Sequence, residues 1–233
     1  MRVIGLIGGM SWESSAEYYR LINRAVRDRL GLLRSAEILM FSVDFGPIEQ
    51  AQHAGRWDEM GDMLAAAARR LEAGGAECAL LCTNTMHKVA GAIEGAVSIP
   101  FLHIADPVGE AARAAGWKKL GLLGTAFTME QDFISGRLSD RFGLEVITPP
   151  AEARAVVHRV IYEELCAGII RGESLAAYRE IVEGLAARGA EAVVLGCTEI
   201  SLLIRQEHTL VPLLDTTTLH ARAAVDFALK KTL

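Results

Sequence analysis

The chain has 233 residues, of which 51% are hydrophobic and 23% charged, with a net charge of −5. That is enough apolar material for a sizeable core in one large domain or two of about 100–120 residues. The acidic balance, without any basic run, argues against nucleic acid. No apolar span approaches the ~18 residues a membrane helix needs, and no secretory n-region and h-region is present. Four cysteines in a chain this size make no disulfide framework, so a reducing cytoplasm is the expected compartment.

In chain order, residues 2–7 form a fully apolar strand that runs into Gly8-Gly9-Met10-Ser11, and a long helix is predicted over 12–30. The glycines allow a sharp turn and close approach to a ligand, and the helix start offers free N–H groups. Gly5, Gly8 and Gly9 lack the spacing of a dinucleotide fingerprint. A second strand is expected over 36–43, ended by Asp44, with Gly46-Pro47 turning the chain before helical periodicity over 48–53 and 60–71. Residues 78–82 read as the third strand, with a helix starting near Thr85. Residues 100–103 read as a short fourth strand before a helix over 106–115.

The pattern then starts again. Residues 119–125 echo 3–9 at an offset of 116, and Thr128 to Gln131 has capping-box spacing. A strand is expected over 144–147, long helices over 151–170 and 174–187, and a strand over 192–195. Residues 211–215 echo 99–103 at an offset of 112 and lead into a final helix. The strongest repeat aligns Gly75-Ala76-Glu77 and the strand after it with Gly189-Ala190-Glu191 and its strand, without a gap, at an offset of 114.

Strands alternating with helices imply βαβ units and mostly parallel sheets. Three repeated landmarks in one order imply two similar α/β lobes, residues 1–104 and 105–215, with the last helix (216–233) packing back on the first. Ligands of open α/β sheets sit outside the carboxyl ends of the strands, so the expected site is the cleft between lobes. The repeat equates Thr83 with Cys197, which would put those side chains on opposite faces of one ligand.

Cys197 follows a glycine at a strand end and precedes a helix, a position that lowers a thiol pKa from ~8.5 towards 7; the alternative is a buried core cysteine. Thr83 either binds a carboxylate or caps the helix. Asn84, Thr85 and Thr198 are candidate ligand donors or loop hydrogen-bonding residues. Cys82 should point to the opposite strand face from Thr83, into the core with Cys78. Cys78, Cys82, His87 and His103 fit no zinc spacing, and His87 reads as a local hydrogen-bonding residue with a possible orienting role.

Gly8-Gly9-Met10-Ser11, Cys82-Thr83-Asn84-Thr85-Met86-His87, Gly124-Thr125 and Gly196-Cys197-Thr198-Glu199 resemble, in order and over nearly the whole chain, the aspartate/glutamate racemase family. The resemblance is nearest to its L-aspartate/glutamate-specific subgroup, which also has Thr in the first catalytic position. It implies two pseudo-symmetric three-layer α/β lobes, no cofactor (no pyridoxal phosphate), no metal, an acidic amino-acid substrate and a homodimer. It implies Thr83 and Cys197 as the acid/base pair, with Met10, Ser11, Gln52, Asn84, Thr85, Thr125, Thr198 and Glu199 anchoring substrate.

Removing an α-proton and returning it on the other face requires a group on each side, and N–H donors stabilise the charge that develops on the carboxylate. The Thr83 position holds Cys in most of the family, and the resemblance places the C-terminal thiol against the hydrogen of the L-enantiomer. It therefore implies proton abstraction from that enantiomer by Cys197 and inefficient return by Thr83 or a water it holds. Glu199 stands where glutamate racemases carry His, which points to the aspartate-racemase branch. Gln52 is the expected hydrogen-bond donor to the distal carboxylate, and Glu163 and Glu164 lie on a helix that either faces the cleft or is solvated. Two other readings are open: a decarboxylase of the same superfamily using one C-terminal-half cysteine, and a binding protein that has lost turnover.

Overall fold

The computed structural model describes residues 1–230; the end of the helix expected over 216–233 therefore lies partly outside the described residues. The chain forms two compact units, Met1–Ile104 with Thr217–Leu233, and Ala105–Thr216. Among the described residues no helix is long and apolar enough to cross a membrane.

The first unit runs β1 (Ile4–Gly8), α1 (Trp12–Leu30), β2 (Ile38–Ser42), α2 (Phe45–His53), α3 (Trp57–Ala73), β3 (Cys78–Leu81), a 3-10 helix (Thr85–Val89), α4 (Ala90–Glu94) and β4 (Phe101–Leu102). Its four strands are all parallel in the order β2-β1-β3-β4. Side chains alternate across a strand, and the two central strands, β1 and β3, are buried on both faces. Ile7 and Leu81 pack with Ile48 and Ala51 of α2 and Met60, Leu64 and Leu71 of α3. Leu6, Cys78, Leu80 and Cys82 pack on the other face with Tyr18, Ile22 and Val26 of α1.

The second unit comprises α5 (Ala105–Ala115), β5 (Lys119–Gly124), α6 (Ala126–Glu130), α7 (Asp132–Phe142), β6 (Glu145–Ile147), α8 (Ala151–Glu163), α9 (Gly172–Ala187), β7 (Ala192–Gly196), α10 (Ile200–Leu203) and β8 (Leu213–Asp215). Its sheet is again four parallel strands, in the equivalent order β6-β5-β7-β8. Leu123, Val193 and Leu195 pack with Val157 and Val160 of α8 and Tyr178 and Val182 of α9. On α5, Gly109 lies so close to Phe142 of α7 that an added Cβ would meet its ring at 2.3 Å.

The last helix, α11 (Thr216–Leu229), returns to the first unit. Ala221, Ala224, Val225 and Ala228 join the cluster around Leu6 and Leu80. Two fully buried polar groups key it in place: Tyr18 Oη lies 2.8 Å from His220 Nδ1, and His220 Nε2 lies 2.7 Å from the Leu102 carbonyl. The carbonyl can only accept, so Nε2 donates to it, and Nδ1 shares a hydrogen bond with the tyrosine hydroxyl.

The sequence repeat is a repeat of hydrogen bonds. Gly75 and Gly189 both take φ near +95°, which releases helix and strand from one another with little backbone cost. The next residues, Ala76 and Ala190, donate to the carbonyls of Leu71 and Leu185, each at 3.0 Å. The glutamates then reach the start of the neighbouring strand: Glu77 accepts from Val3 N–H at 2.8 Å, and Glu191 from the N–H groups of Lys118 and Lys119 at 2.5 and 3.0 Å. These bonds hold the Glu191 carboxyl below the usual carboxylate range.

Three expected elements differ. Gly46-Pro47 does not turn the chain: Asp44 caps α2 by accepting from Gly46 N–H at 3.1 Å, and both residues lie in its first turn, where proline lacks no required donor. Thr128 is not a cap either, because Thr125 is; Thr128 is buried within α6, and extended Gln131 separates α6 from α7. The helix predicted over 151–170 stops at Glu163, followed by a 3-10 turn at Leu165–Ala167 and left-handed Gly168.

Candidate active site

Each unit gathers polar residues at the carboxyl ends of its parallel strands, and equivalent positions do equivalent jobs. After β1, Ser11 caps α1, accepting from Ser14 N–H at 3.2 Å, with its Oγ also 3.2 Å from Ser14 Oγ. After β5, Thr125 caps α6, accepting from Thr128 N–H at 3.4 Å, with the two hydroxyl oxygens 3.3 Å apart. Both pairs are 114 residues apart, the offset of the Thr83–Cys197 match. Met10 is buried beside Ser11. Gly9 has φ +96°, and an added Cβ would stand 2.1 Å from the Val43 carbonyl, so this turn requires glycine.

After β3, Thr83 is half-buried and its carbonyl lies 2.8 Å from His87 Nδ1. Asn84 is 5% exposed, and its Oδ1 has no hydrogen-bond partner among the described residues. An unpartnered buried acceptor costs roughly 1–3 kcal/mol. Half-buried Thr85 opens the 3-10 helix. Gln52, on α2, is buried and its Nε2 contacts Met86 Sδ at 2.9 Å, so sulfur, a weak acceptor, holds the amide in place. Cys78 and Cys82 point into the core as expected; burial pushes the Cys78 thiol up to about 12 and Cys82 higher still.

After β7, Cys197 is buried, and its thiol donates to Glu199 Oε2 at 2.9 Å. This overturns the expected low thiol pKa. Burial, the Glu199 charge and that hydrogen bond all push the thiol well above its ordinary value. The helix that follows, α10, has four residues, too few to build the dipole the expectation relied on. Cys197 therefore rests as a thiol. Half-buried Thr198 accepts at its carbonyl from Ser201 Oγ at 2.9 Å. Thr216 Oγ1 donates to the Leu195 carbonyl at 2.9 Å and ties β8 to the end of β7.

Other residues enter that sequence reading missed. His158 on α8 accepts from Ala126 N–H, next to Thr125, through Nδ1 at 3.2 Å. The Tyr178 phenol donates to the Val157 carbonyl at 3.0 Å, and burial, then the nearby Cys197 and Glu164, push its pKa up. Both come from helices remote in sequence, with no motif to flag them. Glu163 is exposed, whereas Glu164 is buried, accepts from Ser174 Oγ at 2.6 Å and faces Arg159 and Arg171 at 3.5 and 3.8 Å. Among the described residues no three His, Cys, Asp or Glu side chains group as metal ligands.

Two four-stranded parallel sheets carrying duplicated strand-end sites define the class: the chain belongs to the Asp/Glu/Hydantoin racemase family, whose sequence pattern matches residues 7–224. It is similar over 99% of its length to a candidate Asp/Glu racemase from Yersinia pestis, with 51% identity, TM-score 0.95 and all of that chain covered. It is likewise similar to an aspartate racemase homologue from Pyrococcus horikoshii OT3, with 33% identity, TM-score 0.87 and coverage of 99% and 100%. A glutamate racemase from Roseiflexus sp. (strain RS-1) is 31% identical over 160 residues, 64% of this chain. That match spans about half, 54%, of the relative's own length.

Proposed function

We propose that the protein is a cofactor-independent racemase acting on L-aspartate or L-glutamate, with Cys197 and Thr83 serving the two faces of the α-carbon. The observation that carries this reading is the Cys197–Glu199 pair at the strand end equivalent to Thr83 in the repeat. A thiol with its own carboxylate partner is a complete acid/base unit, and it needs no bound group to move a proton. Family membership and the neighbours named for aspartate and glutamate support the substrate class.

For an L-substrate, the Cys197 proton passes to Glu199, and the thiolate takes the α-proton. Thr83, or a water on it, protonates the opposite face, and the Glu199 proton returns through solvent to balance the cycle. In the reverse sense the resting thiol donates directly, but Thr83 must abstract, a task for which a hydroxyl is poorly suited without an activating base. Asn84 Oδ1, an acceptor without a partner among the described residues, accepts a hydrogen bond from the substrate's α-ammonium group. Ser11 and Thr125, with the N–H groups they cap, Met10, Thr85 and Thr198 line the carboxylate sites, and Gln52 contacts the distal carboxylate. The acting form is proposed to be a cytoplasmic homodimer, which light scattering of the eluting protein tests.

Proton NMR in D2O, with each enantiomer of aspartate and glutamate and no added cofactor, tests the activity. Loss of the L-substrate α-proton signal, abolished in Cys197→Ser, is the expected result. Measurable binding of these amino acids without exchange would defeat it in favour of a binding protein. One observation favours a second reading: a thiol held protonated suits an enzyme that only donates a proton to a planar intermediate. Decarboxylation of disubstituted malonates, with amino acids untouched, would establish that reading instead.

A further inference from the structure

His87 is 2% exposed and lies in the 3-10 helix that follows Thr83 and Asn84. Its Nδ1 is 2.8 Å from the Thr83 carbonyl, and its Nε2 is 3.2 Å from the Ile104 N–H. A carbonyl only accepts and an amide N–H only donates, so both contacts are hydrogen bonds in one state alone: neutral imidazole with its proton on Nδ1. The groups around it reinforce that state. His103 and His220 lie against the ring at centroid distances of 4.5 and 5.9 Å, Phe101 at 5.7 Å, and Tyr18 stands behind His220. Burial and the two neighbouring imidazoles oppose a charge on His87.

We propose that His87 is a positioning residue of the first half-site: through Nδ1–H it fixes the Thr83 carbonyl, and through Nε2 it fixes that segment to the end of β4. Fixing the carbonyl of residue 83 fixes the peptide plane joining it to Asn84, and so the direction in which both side chains leave the backbone. The proposal rests on the reading of Thr83 as the group that serves one face of the α-carbon. His87 touches no reacting atom; it acts through Thr83 and Asn84.

Three substitutions separate the two bonds. His87→Asn keeps a donor near the Nδ1 position, His87→Gln keeps an acceptor near Nε2, and His87→Leu removes both. Misplacing a reacting group by about 1 Å costs up to roughly 100-fold in rate. The expected result is that His87→Asn keeps kcat within about threefold, whereas His87→Gln and His87→Leu lose about tenfold or more. That loss should change the ratio of α-hydrogen exchange rates for the D- and L-enantiomers in D2O, since only one face depends on Thr83. A thermal melt of each variant confirms folding at the assay temperature. Equal losses for both enantiomers, or equal kcat in the Asn and Gln variants, would overturn the proposal. Long-range nitrogen–proton NMR of the wild-type imidazole gives an independent answer: a proton on Nε2 of His87 also overturns it. If the wild type exchanges no acidic amino acid, the functional reading fails, and the tautomer alone decides whether His87 fixes this backbone.

Discussion

The Cys197 thiol donates to the Glu199 carboxylate at 2.9 Å, two residues further along the same strand-end loop. Burial first, and then the charge of this carboxylate, oppose a negative charge on sulfur and hold the thiol protonated. Glu199→Gln removes the charge and should lower the thiol pKa. Iodoacetamide labelling of Cys197 at neutral pH is expected to quicken, while α-proton exchange falls by about 100-fold, a typical contribution of a positioned acid/base group. Peptide mass spectrometry must resolve Cys197 from exposed Cys166. Slower labelling together with unchanged exchange would remove Glu199 from the mechanism.

The binding role proposed for Asn84 predicts that this side chain costs stability in the ligand-free protein. Its buried Oδ1 lacks a partner among the described residues, so Asn84→Leu, of similar size, should hold or raise the thermal midpoint of the ligand-free protein. The same variant should lose the increase in midpoint that saturating L-aspartate or L-glutamate gives the wild type. A variant still stabilised as much as wild type by either amino acid would show that Asn84 takes no part in binding.

His87 predicts an acid limb in stability. Its pKa is lowered in the folded protein, so the unfolded chain binds the proton more readily. The stability it contributes is present above the unfolded value of about 6.5 and is lost as pH falls towards the folded value. Between those two values the loss is about 1.4 kcal/mol per pH unit for one proton. Urea unfolding of wild type and His87→Asn between pH 5 and 8 checks this; the variant should show the shallower dependence on pH.

Tyr18→Phe removes the buried hydrogen bond to His220 Nδ1. The expected cost is roughly 1–3 kcal/mol, typical of an unsatisfied buried group, read as a lower urea midpoint at unchanged m-value. A Tyr18→Phe variant with the wild-type urea midpoint would show that this hydroxyl contributes nothing to stability.

The fold was legible because its framework is local and written twice. Gly75 and Gly189 need left-handed backbone, Glu77 and Glu191 reach back to neighbouring strands, and the apolar runs between are buried on both faces. The helix at Phe45–His53 was harder to read, since Gly46 and Pro47 look like turn formers until Asp44 is known to cap them. The positions of Thr83, Asn84 and Cys197 at strand ends followed from the repeat. The protonation of Cys197 did not, because it depends on burial and on where the Glu199 side chain turns. His158 reaches Ala126 from 32 residues away, and the His87 tautomer is set by Ile104, 17 residues on; neither relation has a spacing to betray it.

The placement of α11 bears on the order in which the molecule is made. The first unit contains both the earliest and the latest parts of the chain, and Ala221, Ala224, Val225 and Ala228 cover Leu6 and Leu80 only once the last helix exists. During synthesis the second unit is thus complete before the first, and the face of β1 and β3 beside α1 waits exposed for the final turns of helix. A chain stopped at residue 215 is expected to yield a protease-resistant fragment from the second unit and rapid cleavage of the first. Equal resistance of both would show that the early sheet closes without its last helix.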